Sequence, residues 1–146
     1  MIKLLGGLLL ATTGFAAEVP VCMAVGEADA KTLLGPTAKR TKDPSGCGWE
    51  DAGHKKQLNV VRIGVAAMFE PARSDSVQRG PTKDESGLGG TAFSSIPTEH
   101  KGEEAFIYLV KGNAILVLTI DGFESGAAEQ HLPQMRDLVR KLVPKL

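Results

Sequence analysis

Residues 104–121 constrain the fold of this chain more than any other segment. Two β-rich runs, 104–110 and 114–121, flank the turn Lys111-Gly112-Asn113. A short Gly/Asn connection between such runs predicts a β-hairpin. Alternate residues of a strand point to opposite faces. Phe106, Tyr108 and Val110 therefore share one face, and Ala105, Ile107 and Leu109 the other. Strands that are apolar on both faces are central, and are either covered on both sides or line a groove. Leu109 and Leu116 are expected in the core.

The rest of the chain supplies the cover. Residues 26–34 predict a short helix, with Glu27 and Asp29 in the first turn, where the helix dipole is positive, and Gly35-Pro36 as its stop. The segment 37–43 is basic and reads as an exposed edge strand. Asp43-Pro44-Ser45-Gly46 is a turn, and 47–51 a short strand carrying Trp49, the sole tryptophan. Residues 57–65 form the first clear strand. A helix over 66–78 requires Pro71 to sit in its first turn. Residues 79–90 are rich in Gly, Pro and charge and read as loop, and 90–96 as strand. The last helix, 127–143, has the apolar stripe Leu132, Met135, Leu138, Val139 and Leu142; Pro133 requires a start near Glu129 or a kink. The expected order is α-β-β-β-α-β-β-β-α, an α+β domain with helices packed on an antiparallel sheet.

Residues 1–16 read as a secretory signal peptide rather than part of the fold. Lys3 gives the positive start, residues 4–15 the apolar stretch, and Gly14-Phe15-Ala16 the small residues before cleavage. The apolar run is shorter than the ~20 residues of a membrane span. Val19-Pro20-Val21 before Cys22 is not a lipobox, so the expectation is a periplasmic or secreted protein without a lipid anchor, with residues 17–146 as its single domain. Cys22 and Cys47 are the only cysteines. In an oxidising compartment an even pair predicts a disulfide. The loop it closes gives about 3.5 kcal/mol in the chain-entropy account.

Cys22, the Glu27-Ala28 helix ending Leu33-Leu34-Gly35, Cys47-Gly48-Trp49, Leu58-Asn59-Val60, Gly87-Leu88-Gly89 with Ala92-Phe93, and Lys111-Gly112-Asn113 occur in this order. In this the chain resembles a family of small exported bacterial proteins and lipoproteins of unknown function. The resemblance spans nearly all of residues 17–146 and implies a PsbP-like α/β/α sandwich. It brings no catalytic residues, and the absent lipobox separates this chain from the anchored members.

Charge and motifs narrow the function. Lys plus Arg and Asp plus Glu both number 17, for a net charge of 0; a nucleic-acid binder normally carries a basic excess. Gly87-Leu88-Gly89-Gly90-Thr91-Ala92 matches the spacing of a dinucleotide fingerprint, but that motif works only between a strand and a helix. Here loop is expected before it and strand after it, so no cofactor is expected. His54, His100 and His131 form no metal-binding spacing; His100 with Glu99, Glu103 and Glu104 reads as a solvated loop. The serines have no adjacent base and no nucleophile elbow. Lys39-Arg40-Thr41-Lys42, with Lys55, Lys56 and Arg62, reads as protection of a sheet edge.

The expectation is thus a non-enzymatic exported domain that binds a small ligand or an envelope protein. Its candidate site is Trp49, Phe93, Phe106 and Tyr108, with the Gly87–Gly90 loop as a flap. The alternatives are an enzyme with a dispersed active site, and an inhibitor acting through a loop at 79–96.

Overall fold

The computed structural model describes residues 20–41 and 47–146. The leader expected at 1–16 and the turn expected at 43–46 lie outside the described residues. The elements in chain order are α1 (Pro20–Ala24), α2 (Glu27–Leu34), β1 (Lys39–Arg40), β2 (Cys47–Glu50), β3 (Gln57–Ile63), α3 (Phe69–Arg79), β4 (Thr82–Glu85), β5 (Thr91–Ser95), β6 (Ala105–Lys111), β7 (Ala114–Asp121) and α4 (Leu132–Leu142). The strands form one antiparallel sheet in the order β1-β2-β3-β7-β6-β5-β4.

The hairpin is central, as its two-sided apolar pattern requires. β7 pairs with β6 on one side and with β3 on the other. Leu116 stands opposite both Leu109 and Arg62, and Leu118 opposite both Ile107 and Val60. Leu109 and Leu116 are both 0% exposed. These residues belong to the larger core, between the sheet and the helices α1, α2 and α4. The opposite face carries a smaller core of Phe69 from α3 with Phe93, Ile115 and Val117. The fold is therefore α+β in three layers, with α3 alone on the second face.

Local chemistry accounts for the helix limits. The Asp29 carboxylate reaches back to accept from the Gly26 N–H at 2.8 Å, satisfying one of the free donors at the start of α2. Gly35, at φ +101°, turns the chain out of the helix while its N–H donates to the Lys31 carbonyl at 2.9 Å. Pro71 is the third residue of α3 and costs the helix no hydrogen bond there. A 3-10 turn, Ala128–His131, precedes α4, so Pro133 falls in the first turn of the true α-helix. All five expected stripe residues of α4 are buried.

Cys22 on α1 and Cys47 on β2 are joined by a disulfide, with their Cα atoms 5.1 Å apart. Both are buried, and the bridge fastens α1 to the helix-covered face. β1 is the edge strand beyond β2, which fits the protective reading of Lys39 and Arg40.

Two elements go beyond the expected order. Residues 20–24 form α1, and 79–90, read as loop, contain β4. β4 has the sequence Thr-Lys-Asp-Glu, without an apolar face, and exists because it pairs with β5 from Thr82↔Ser95 to Glu85↔Ala92. Residues 79–96 are thus largely a β-hairpin rather than a loop. A strand does precede Gly87-Leu88-Gly89, but β5 follows it instead of the helix that a phosphate site requires.

Candidate functional site

The second face is where the sheet is incompletely covered. One row of residues crosses it from β4 to β3: Asp84, Phe93, Tyr108, Val117 and Val61, each directly opposite the next. α3 lies over the β5–β6 end of this row. Phe93 is 0% exposed, Val117 9%, and Val61, at the far end, 37%. Between the exposed ends Asp84 and Val61, Phe93 and Val117 are buried and Tyr108 is half-buried.

Three of the four aromatic candidates meet here. Phe93 and Tyr108 are cross-strand partners, stacked with ring centroids 4.8 Å apart and 12° between planes. Phe106, two residues before Tyr108 on the same face of β6, stacks on it at 5.9 Å. Phe69 meets Phe93 edge-on at 5.4 Å, the arrangement in which the positive ring edge faces the negative ring face. Arg73 lies over Phe93 at 5.9 Å and pairs with Asp84. Phe93 is sealed beneath α3, whereas Phe106 and Tyr108 are half-buried at the margin of the cover.

The structure does not bring Trp49 to this group. Trp49 stands opposite Leu58 and belongs to the larger core, on the other side of the sheet. It is 8% exposed, and its indole N–H has no hydrogen-bond partner among the described residues. A signal for this placement is present in the sequence. Cys47 and Trp49 are two residues apart and share a face, and Cys22 fixes that face on the helix side. The Gly87–Gly90 loop also lies on the helix side. Leu88 is buried in the larger core, and Arg140 donates to the Gly87 carbonyl at 3.2 Å.

A charged margin follows the aromatic pair. Arg79, at the end of α3, donates through Nε to Glu99 at 2.8 Å. His100 Nε2 lies 3.4 Å from both Glu99 and Glu104. Burial pushes the Glu104 carboxyl above its ordinary range, and His100 acts against that push. Burial also raises the Tyr108 phenol, which therefore stays protonated at neutral pH and offers an O–H donor. On β2, Glu50 holds the His54 imidazole at 2.8 Å. Carboxylates beside exposed apolar and aromatic surface can hold a cationic group while its apolar stem packs on the sheet. Among the described residues no three His, Cys, Asp or Glu side chains are gathered for a metal ion. The open part of this face, with Asn59, Val61 and Thr119, was not singled out in the sequence, because Leu58 and Val60 made 57–65 apolar on both sides.

No protein-family model matches the chain, and no curated protein matches it. Among solved structures, the chain is similar to the solution structure of cyanobacterial PsbP (CyanoP) from Synechocystis sp. PCC 6803 over 74% of this chain and 78% of that one, with a TM-score of 0.37 and 8% identity.

Proposed function

We propose that this chain is an exported, non-enzymatic domain that binds a protein partner in the cell envelope through the second face of its sheet. The observation that supports it most is Val61, 37% exposed at the open end of the row that holds the buried Phe93 and the half-buried Tyr108. Val65 and Met68, just beyond β3, are 50% and 51% exposed. Exposed apolar residues beside half-buried aromatics suit a protein interface, where Tyr and Phe act as anchors and the flanking apolar area excludes water. The Cys22–Cys47 bridge fits an oxidising compartment, and the apolar leader fits export to it. No helix among the described residues is long and apolar enough to cross a membrane.

Site-specific photocrosslinking in the envelope tests the reading. Probes at Val61 and Met68 are expected to capture one and the same protein, and a probe at Thr32, exposed on α2, is expected to miss it. Equal capture at Thr32, or none at Val61, would overturn the assignment.

A further inference from the structure

We infer that the occupant of this face is a basic, amphipathic segment of the partner; the inference rests on the reading just given and adds the chemistry of what is bound. The open strip is narrow: it runs along β3 past Gln57, Asn59 and Val61, with Thr119 and Asp121 half-buried beside it, while Ile115 and Val117 on β7 are already buried. The other face of the sheet carries three helices and this one only α3.

Charge decides what kind of segment fits. At one end of the strip the cross-strand partners are Glu50, Gln57 and Asp121, and Glu104, just before β6, lies close enough to feel the Asp121 charge. Asp75 stands on α3 close enough to act on Tyr108. Beside these four carboxylates stand Lys39, opposite Glu50, Arg79, which Glu99 engages and which lies 4.0 Å from Asp75, and Lys55 in the turn before Gln57; Lys56 lies over Phe123 on the helix side. His54 and His100 contact Glu50 and Glu104, and add positive charge only when protonated. At the other end the surface turns apolar at Val61, Ile63, Val65 and Met68. The strip is therefore acidic at one end and apolar at the other. An acidic partner would set like charge beside Glu104 and Asp121, whose partners are the His100 imidazole and the Gly122 N–H, and covering those carboxylates without a cation is costly. A segment with Lys or Arg toward Asp121 and Glu104, and apolar residues toward Val61, satisfies both ends.

The probes are two synthetic 18-residue helical peptides of the same apolar pattern, one with lysine and one with glutamate on the polar face, titrated into isotope-labelled protein. Expected are shifts for the lysine peptide confined to Asn59, Val61, Glu104, Phe106, Thr119 and Asp121, and at least tenfold weaker binding of the glutamate peptide. Asp121→Asn combined with Glu104→Gln is expected to weaken the lysine peptide about tenfold, the scale of one or two lost charge contacts, while Val61→Asp abolishes its shifts. Equal binding of the two peptides, shifts mapping to α2 and α4, or a concentration-dependent dimer that buries the same face without peptide would overturn the inference. Capture at Val61 with no preference for lysine leaves the interface standing and removes only the basic partner; no capture and no peptide binding removes both.

Discussion

Glu85 on β4 and Arg136 on α4 meet in a two-pronged ion pair, Nε to Oε2 at 2.8 Å and Nη2 to Oε1 at 2.9 Å. The Glu85 side chain is only 6% exposed, and Ser94 on the neighbouring strand donates to the same carboxylate at 2.7 Å. This contact fastens an edge strand without an apolar face to the last helix. Glu85→Gln is expected to cost roughly 1–3 kcal/mol, because it leaves the Arg136 charge half-buried and unpaired. Replacing both residues by leucine is expected to cost less than Glu85→Gln alone. Urea unfolding of the variants checks the order.

The same pair predicts a pH dependence. Hydrogen bonding from Arg136 holds the Glu85 carboxyl below its ordinary value of 4.5. A carboxyl lowered in the folded state contributes stability that is fully present above its unfolded value and is lost as pH falls through the folded value. The stability difference between the wild-type chain and Glu85→Gln is expected to be constant from about pH 6 upward and to shrink below about pH 4.5. Denaturation midpoints measured from pH 7 to pH 3 test it; a difference that grows on acidification contradicts the assignment.

Alkylation of the native protein should label no thiol, and reduction should free two. Cys22→Ser with Cys47→Ser is expected to lower stability by roughly 3 kcal/mol, the entropy of the loop that the bridge closes. Thermal unfolding with and without reductant provides the comparison.

Leu116→Ala is expected to cost about 2–5 kcal/mol, since the side chain is 0% exposed between Leu109 and the helices. Val61→Ala, on the open strip, is expected to stay within about 0.5 kcal/mol. A large loss at Val61 would mean that this face is packed rather than available.

Gly122 has φ +80°, and a Cβ there would run into the Lys55 carbonyl. Gly122→Ala therefore combines backbone strain with a collision against main chain, and is expected to cost more than the ~1 kcal/mol of an incompatible backbone alone. Guanidinium unfolding measures it.

The fold was legible where burial writes a pattern. The 104–121 hairpin, the α4 stripe and the place of Pro71 all follow from apolar spacing and proline geometry. β4 was not legible, because Thr82–Glu85 carries no apolar alternation and is a strand only by virtue of β5 and the Arg136 clasp. The candidate site was legible in part. Phe106 and Tyr108 do reach a surface margin, but which side Trp49 takes depends on pairing partners far along the chain. A one-residue change of register would exchange the two faces.

β3 must wait for its neighbour. β4, β5, β6 and β7 form a meander in which each strand pairs with the next, so that half can assemble from short-range contacts. β3 pairs with β7, joining Ile63 to Ile115 and Gln57 to Asp121, and every such contact joins residues more than fifty positions apart. Distant closure of this kind is slow. Until it happens, β3 presents a bare row of amide and carbonyl groups flanked by Leu58 and Val60, a template for pairing with another chain. Lys39 and Arg40 guard the permanent edge of that half; only the arrival of Ala114–Asp121 closes the temporary one. A chain emerging from its amino terminus exposes this edge for as long as β7 has yet to appear, so a truncation before Ala114 would leave a sticky, unpaired half-sheet rather than a smaller stable domain.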